Sequence, residues 1–300
     1  MPDAMLAEPH AQAGRLTPTQ FTYSTQVASR SQKVLIRAIE LMGGQPKLKK
    51  LYFEHQLNPR HGESFFEAAV RLLKLDVRYD TGMLDLVPRD KPVVFIANHP
   101  YGVLDGITLT WLAMKVRPDV KVLSNAVLCQ APEARENLIS IDFAPTQQAR
   151  ETTIRSRLEV QSILKSGGAV GIFPGGGVSA AMKPFRGPAL ELPWAPFTAK
   201  MITMSKATVV PLWFSGQNSR AFQLASQLSY TVRLALMFHE TARRIGTRLD
   251  VSVGQPIAYE QLPQGVERRE LVRFLRERTT DLAPSGNRDQ LLQEFTRGNW

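Results

Sequence analysis

A near-continuous apolar run, from Pro92 to Ala97, constrains the fold more than any other segment of this sequence. Such a run suits a β-strand that is buried on both faces, because a strand with one solvent-facing side alternates apolar and polar residues. Beyond Leu75, further short apolar runs alternate with windows of helical periodicity. This alternation predicts an α/β fold with a central mixed β-sheet flanked by helices.

The same patterns place the other elements of the predicted domain. Strands are predicted over 77–79, 84–87, 120–124, 169–173, 208–214, 232–238 and 249–253, with a hairpin turn at 80–82 between the first two. Helices are predicted over about 106–116, 147–165, 196–206, 219–228 and 266–282.

The chain before residue 77 has a different pattern of apolar residues. Residues 1–27 show no sustained apolar period, and we predict a flexible N-terminal segment. Residues 28–76 hold two windows of three-to-four apolar spacing, 28–42 and 64–75, which predict an amphipathic helical extension. Packing on the domain is the plainer interpretation of both apolar stripes, and membrane contact is the alternative, favoured by the lysines between them.

The charge balance points to an anionic partner. Lys and Arg number 37 against 27 Asp and Glu, so the formal net charge is +10. Nucleic acid, an anionic membrane surface and an acidic carrier protein or metabolite all suit this charge. The sequence has no zinc-ligand set, aromatic RNA-binding signature or basic tail, so nucleic acid is not expected.

Cysteine usage and hydropathy bear on the compartment. The single cysteine, Cys129, excludes an internal disulfide and favours a reducing compartment. No window approaches the roughly 18 consecutive apolar residues that span a bilayer, and the start lacks a signal-peptide pattern. We expect neither a membrane span nor export.

Several familiar kinds of active site are not expected. The five histidines and one cysteine show no metal-ligand spacing, so no metal site is predicted. The serine-hydrolase motif G-x-S-x-G is missing, and no Gly-Lys-Ser/Thr follows the glycine run 175–177 to make a nucleotide-binding loop.

The loop directly after the apolar run, 98–106, is the first candidate for chemistry. Strand carboxyl ends in α/β sheets open onto the crevice where ligands bind. An imidazole at His99 can accept a proton from a hydroxyl near neutral pH, and a carboxylate on its other nitrogen would stabilise the imidazolium. Asp105 is the nearest candidate, provided that Pro100 and Gly102 turn the chain back. The alternative is that Asp105 only caps the next helix and that His99 is an ordinary loop histidine.

A second loop of the same kind follows the predicted strand 169–173. It reads Phe173-Pro174-Gly175-Gly176-Gly177-Val178-Ser179. Glycines allow the backbone to approach a ligand and to present N–H groups to an anion or oxyanion. Two strand-to-loop sites, one of them with a His/Asp pair, suit an acyl-transfer active site.

These two loops and the strand Val209-Val210-Pro211-Leu212 together resemble the glycerolipid (lysophospholipid) acyltransferase family, over roughly 77–257. The bacterial hemolysin-like members, which acylate lysophospholipids or lyso-aminolipids, are the most similar, and segments 192–197 and 216–220 also resemble that branch. The resemblance implies that residues 77–300 form an acyltransferase catalytic domain.

The resemblance also implies roles for individual residues. His99 would be the general base and Asp105 its partner, and no metal or cofactor would be needed beyond the acyl thioester of acyl-carrier protein or coenzyme A as co-substrate. The residues expected to bind substrate are Asn98, Gly102, Phe173, Pro174, Gly175, Gly176, Gly177, Ser179 and Arg186.

The sequence departs from the family pattern at three places. One more residue than usual separates His99 from Asp105, which we associate with the hemolysin-like branch, and Gly177 stands where a glutamate is usual. The usual arginine of the acceptor motif is not evident in 139–145, so Arg186 is a candidate for the missing cation, with a solvated surface arginine as the alternative. These departures favour an acceptor such as a lyso-aminolipid.

We expect an O-acyltransferase that moves a fatty acyl chain from an acyl thioester to a lysolipid hydroxyl. Its expected partners are the lysolipid, the acyl-carrier protein or coenzyme A thioester and an anionic membrane surface, at the cytoplasmic face of the inner membrane as a peripheral protein. Two alternatives remain open: a thioesterase or lipid esterase on the same site, and a non-catalytic module that binds anionic lipid.

Overall fold

The structure is a computed structural model, and it describes residues 22–27, 29–125, 128–141, 147–183 and 185–285. Most of the predicted flexible segment 1–27 and the end of the acceptor-motif stretch 139–145 lie outside the described residues.

The described residues form nine strands. They are β1 (Asp76–Arg78), β2 (Val93–Ala97), β3 (Lys121–Asn125), β4 (Leu138–Ile141), β5 (Ala169–Ile172), β6 (Ala180–Lys183), β7 (Arg186–Leu190), β8 (Thr208–Phe214) and β9 (Arg248–Val253).

Helices connect and cover these strands. In the described part of the chain they are α1 (Arg30–Met42), α2 (Gln45–Leu57), α3 (Phe65–Leu72), α4 (Thr81–Asp85), α5 (Val103–Met114), α6 (Gln147–Lys165), α7 (Pro196–Ser205), α8 (Arg220–Leu228), α9 (Tyr230–Ala235), α10 (Met237–Arg243) and α11 (Arg268–Thr280). Short 3₁₀ turns occur at Tyr23–Gln26, Leu128–Gln130, Pro132–Asn137 and Tyr259–Gln261. None of the helices described has the length and apolar composition needed to cross a bilayer.

Seven of the strands form one mixed sheet, as the sequence predicts. Their order is β1-β9-β8-β2-β5-β3-β4, and the five strands from β8 to β4 are parallel to one another. β9 pairs antiparallel with β8 and parallel with β1. β6 and β7 form a separate antiparallel hairpin.

The apolar run is the central strand β2, paired on its two edges with β5 and β8. All five of its residues are buried, and they alternate between two hydrophobic cores. Val93, Phe95 and Ala97 join the larger core, and Val94 and Ile96 join the second. The prediction of a strand buried on both faces is confirmed.

Each core lies on one face of the sheet and is closed by helices. The larger core receives Ile36 of α1, Phe66 of α3 and Leu109 of α5. The second core receives Val160 of α6 and Ile202 of α7, together with apolar residues of α11. Helices from the 28–76 region therefore pack into the same core as the sheet.

The predicted hairpin over 77–87 is wrong. β1 pairs with β9 instead, and residues 84–87 do not form a strand. The carboxylate of Asp80 accepts a hydrogen bond from the backbone N–H of Gly82 at 2.8 Å and caps α4. A capping aspartate thus starts a helix where the sequence was interpreted as a turn.

The predicted strand over 232–238 is also wrong, because this segment forms α9 and the start of α10. Its buried residues Leu234, Met237, Phe238 and Thr241 follow a helical spacing of three and four. The hydroxyl of Ser229 caps α9 by accepting from the N–H of Val232.

Three elements were not anticipated. The basic stretch after Gly44 forms α2, with Gly44 at a φ of 98° and Pro46 in the first turn. β4 and the β6–β7 hairpin are short and only partly buried, so they lack a strong apolar pattern.

Candidate active site

The loop that joins β2 to α5 is fixed to the neighbouring strand by Asn98. The side-chain amide of this residue donates to the carbonyl oxygen of Phe214 at 2.9 Å, and its oxygen accepts from the N–H of Phe214 at 2.6 Å. Because both bonds reach the end of β8, the start of the loop is held at the carboxyl edge of the sheet.

A tight turn brings His99 and Asp105 together. Gly102 has a φ of 77°, a conformation that favours glycine, and α5 begins directly after it. The His99 Nδ1 atom lies 3.0 Å from Oδ2 of Asp105. The same oxygen accepts the N–H groups of Tyr101 at 2.7 Å and Gly102 at 2.9 Å. Asp105 therefore bonds the imidazole and caps the helix at once.

Burial shapes the chemistry of this pair. Asp105 is fully buried, and this burial raises the pKa of its carboxyl above the ordinary value, while the three hydrogen bonds act in the opposite direction.

The imidazole ring of His99 is positioned on its other sides as well. It stacks on the ring of Phe173, with centroids 4.0 Å apart and planes 20° apart. The backbone carbonyl oxygen of His99 accepts a hydrogen bond from the N–H of Ser179 at 2.7 Å. Nε2 forms no hydrogen bond within the described residues, and the side chain is 16% exposed. Nε2 is thus the nitrogen left to meet a substrate proton.

The glycine loop after β5 lies beside this ring. Gly176 has a φ of 69°, and its N–H donates to the carbonyl oxygen of Phe173 at 2.9 Å. The N–H groups of Gly177 and Val178 donate no hydrogen bond within the part of the chain that is described. Both residues line the same cavity as His99, so two free backbone donors are available there.

A cavity of about 530 Å³ opens at the two loops. Much of its wall is apolar, with Leu123, Ile141, Ile172, Phe197 and Leu234 among the lining residues. This volume lies in the range of ligand sites, and its apolar wall suits a hydrocarbon chain.

The residues expected at the site fall into two groups. Those that line the cavity are His99, Gly102, Phe173, Pro174, Gly176 and Gly177. Asn98 and Ser179 instead hold the loops by hydrogen bonds, and Gly175 packs against the chain at 191–192. Arg186 is exposed on β7 and does not line the cavity.

Two cavity cations were missed in the sequence. Arg157 of α6 lies over the ring of Phe197, 4.9 Å from its centroid. Arg233 of α9 donates a hydrogen bond to the carbonyl oxygen of Val178. Burial lowers the pKa of Arg233. Arg233 was missed because its segment was predicted to be a strand; the helical spacing of 234, 237, 238 and 241 was the available signal.

Glu191, directly after β7, is a buried carboxyl group that the sequence did not single out. Its Oε2 accepts from the indole N–H of Trp194 at 3.2 Å, and Oε1 has no hydrogen-bond partner among the described residues. Burial raises its pKa to about 8, and the Arg276 guanidinium opposes this shift. A Cβ atom at Gly175 would lie 3.6 Å from Cβ of Glu191, so this residue packs closely against the glycine loop.

We expect Glu191 to make the protein less stable as the pH rises. Between the ordinary glutamate pKa and about 8, the folded chain holds a proton that the unfolded chain releases, so the free energy of unfolding falls, by at most about 1.4 kcal/mol per pH unit. Urea unfolding below and above this range should show that Glu191→Gln gains stability relative to wild type at the higher pH.

The matched control for that measurement is Glu260→Gln, at an exposed glutamate. Its stability should follow wild type at both pH values. An equal difference between Glu191→Gln and wild type at low and high pH would show that Glu191 does not titrate in this way.

No group of three His, Cys, Asp or Glu side chains arranged to hold a metal ion is found in the described residues.

Comparison with known proteins adds a family match. Residues 80–215 match the family model described as Acyltransferase. Among solved structures, the chain is similar to the 1-acyl-sn-glycerophosphate (LPA) acyltransferase PlsC from Thermotoga maritima, with 14% identity and a TM-score of 0.45 over 92% of this chain and 86% of that chain. No curated protein sequence gives a match. The matched segment contains both loops and β8, so the match supports acyltransferase activity for this chain.

Proposed function

We propose that this acyltransferase moves a fatty acyl chain from a thioester of acyl-carrier protein or coenzyme A to the hydroxyl of a lysolipid, as in the hemolysin-like branch. The acceptor is a lysophospholipid or a lyso-aminolipid. The observation that carries the proposal is the Asp105-bonded imidazole of His99 at the wall of a largely apolar cavity, inside the segment that matches the acyltransferase family.

The reaction begins with a proton transfer to His99. Asp105 fixes the Nδ1–H tautomer, so Nε2 accepts the proton of the acceptor hydroxyl as its oxygen attacks the thioester carbonyl. The imidazolium that forms is stabilised by the buried carboxylate. A positioned base of this kind contributes about 10²–10⁴ in rate.

The tetrahedral intermediate then carries a negative oxygen. The free N–H groups of Gly177 and Val178 are the donors proposed to stabilise it. When the carbon–sulfur bond breaks, the imidazolium returns its proton to the leaving thiolate. The products are an ester of the lysolipid and a free thiol. The thioester supplies the activation, and we propose that the reaction needs no metal or cofactor.

The cavity cations suggest an anionic group on one substrate. Arg233 is partly buried and donates to a backbone carbonyl, and within the described residues neither it nor Arg157 forms an ion pair with a carboxylate. We propose that these guanidinium groups bind the phosphate or carboxylate of the lysolipid head group, the role that Arg186 was expected to fill.

Replacing Arg233 with methionine should therefore weaken use of an anionic acceptor. Loss of hydrogen bonds to a charged group is expected to lower kcat/KM for the acceptor about ten- to a hundredfold. Steady-state assays with an anionic lysolipid and with an uncharged monoacylglycerol, which carries neither phosphate nor carboxylate, would measure this effect. Arg269→Met, at an exposed arginine of α11, is the control. An equal loss for both acceptors would contradict head-group binding by Arg233.

The proposed setting is the cytoplasmic face of the inner membrane, with the chain bound as a peripheral protein to an anionic surface. Both substrates are then within reach, since the lysolipid lies in the membrane and the thioester is delivered from the aqueous side. The net charge of +10 is compatible with this setting.

Product analysis tests the proposed function. The purified chain is mixed with a labelled acyl thioester and a lysolipid, and the lipids are separated and counted. We expect labelled diacylated lipid in proportion to the thiol released. Free fatty acid with no acylated lipid would contradict the proposal and indicate a hydrolase, and no thioester consumption with any acceptor would indicate a binding module.

A further inference from the structure

The β6–β7 hairpin lies outside the seven-stranded sheet and exposes two large apolar side chains. It follows directly on the glycine loop of the candidate site. Met182 is 60% exposed and Phe185 is 70% exposed. Apolar side chains of this size are seldom presented together to water without a partner.

The hairpin is held in place by α8 and the segment before it. Gln223 accepts the N–H of Ala181 at 2.7 Å, and Gln227 donates to the carbonyl oxygens of Ala181 and Met182, both at 2.7 Å. Because these bonds fix the backbone at Met182, the hairpin presents its apolar side chains from a rigid base.

Further exposed apolar residues continue from the hairpin to the mouth of the cavity. Leu228 follows Gln227 directly, and Tyr230 begins α9. Leu192 and Tyr230 are both exposed and both line the cavity. We call the five residues the rim patch: Met182, Phe185, Leu192, Leu228 and Tyr230. Two of the five, Leu192 and Tyr230, therefore lie at the mouth of the cavity.

The apolar residues of the hairpin are flanked by cations. Lys183 and Arg186 are exposed, and neither forms an ion pair within the residues described. An apolar surface with basic residues beside it matches a bilayer that carries anionic head groups, since the side chains enter the interface while the cations stay at the phosphates.

We propose that the rim patch docks on an anionic lipid bilayer and turns the mouth of the cavity toward the lipid. A lysolipid would then enter the cavity from the membrane without passing through water, and this last step rests on the proposed function. The docking itself rests only on the exposed apolar residues and their flanking cations.

Vesicle co-sedimentation of the full chain tests the docking. The probes are vesicles of phosphatidylcholine alone and of phosphatidylcholine mixed with phosphatidylglycerol. We expect Met182→Ser/Phe185→Ser to lower partitioning to mixed vesicles about tenfold, because two apolar side chains no longer enter the interface. Lys183→Gln/Arg186→Gln should lower partitioning to mixed vesicles about thirtyfold and leave the weak binding to phosphatidylcholine unchanged.

Met204→Ser is the matched control, because Met204 is an exposed methionine on α7, which packs against α6 and α11. It should bind vesicles as wild type does. Thermal melting of every variant shows whether the fold is kept, which these exposed positions should allow.

A tryptophan at the hairpin gives a second readout that does not depend on affinity. In vesicles of brominated lipid, F185W should be quenched more than M204W, after subtraction of the wild-type signal, since bromine quenches only indoles that enter the bilayer. Equal quenching of the two, or vesicle binding of the double serine variant equal to wild type, would overturn the proposal.

Two other outcomes distinguish membrane docking from carrier-protein binding and from the proposed function. If Lys183→Gln/Arg186→Gln raises the KM for an acyl-carrier-protein thioester and leaves vesicle binding unchanged, the patch serves a carrier protein and membrane docking is overturned. If the vesicle results are as expected but no lysolipid is ever acylated, docking is supported and the proposed function fails.

Discussion

His99→Ala is expected to lower kcat for acyl transfer about 10²–10⁴-fold, the usual contribution of a positioned general base. The KM for the acceptor should change little, because the proposed head-group contacts lie at Arg157 and Arg233. The ring of His99 is held by Asp105 on one edge and by Phe173 on one face, so its removal takes away the base without cutting a backbone hydrogen bond. Steady-state assays with purified protein measure the effect.

His61→Ala serves as the control, since His61 is exposed and lies in the loop before α3. It should keep wild-type activity. Circular dichroism and thermal melting should show that His99→Ala remains folded. Near-normal turnover of a folded His99→Ala variant would remove the proposed base.

Asp105→Asn is expected to have an effect of similar size, on the order of 10³–10⁴ in kcat, as when a comparable carboxylate is neutralised in a serine protease. Three donors converge on Oδ2, from His99, Tyr101 and Gly102, and an amide oxygen there can still accept them. The neutral amide, however, no longer stabilises the imidazolium. The other oxygen, Oδ1, has no hydrogen-bond partner in the described residues, so an amide nitrogen there would be buried without an acceptor.

Asp80→Asn is the matched control for this variant. Asp80 also caps a helix, but it lies exposed at the start of α4. Asparagine caps helices about as well as aspartate, so stability and activity should be unchanged. If Asp105→Asn retained activity while Asp80→Asn did too, Asp105 would be a helix cap only.

The fold was predictable where the apolar pattern allowed one solution. The run 92–97 predicts a central strand, because a strand between two parallel neighbours is covered on both faces. The prediction for 232–238 failed because its apolar residues fit either period locally. The helical spacing becomes clear only when the segment is extended to Thr241, and Ser229 supplies the helix cap. β4 and the β6–β7 hairpin carry too few buried side chains to leave a pattern.

The part of the site that lies within one short loop could be predicted from the sequence. Asn98, His99, Gly102 and Asp105 lie within a few positions of one another, so a single turn is enough to bring them together. Arg157 and Arg233 come from two helices far apart in sequence, and no local signal links them to the loops. For the same reason, the sequence could not indicate that Arg186 is exposed on β7 and does not line the cavity.

The most direct test of general-base catalysis by the His/Asp pair is the rate at which the double variant His99→Ala/Asp105→Asn forms labelled acylated lipid. This rate is compared with the rates of the two single variants. Residues that act as one unit give losses that do not multiply. We predict that the double variant is no slower than His99→Ala alone. Losses that multiply, or a His99→Ala variant that still acylates the lysolipid at the wild-type rate, would contradict general-base catalysis by this pair.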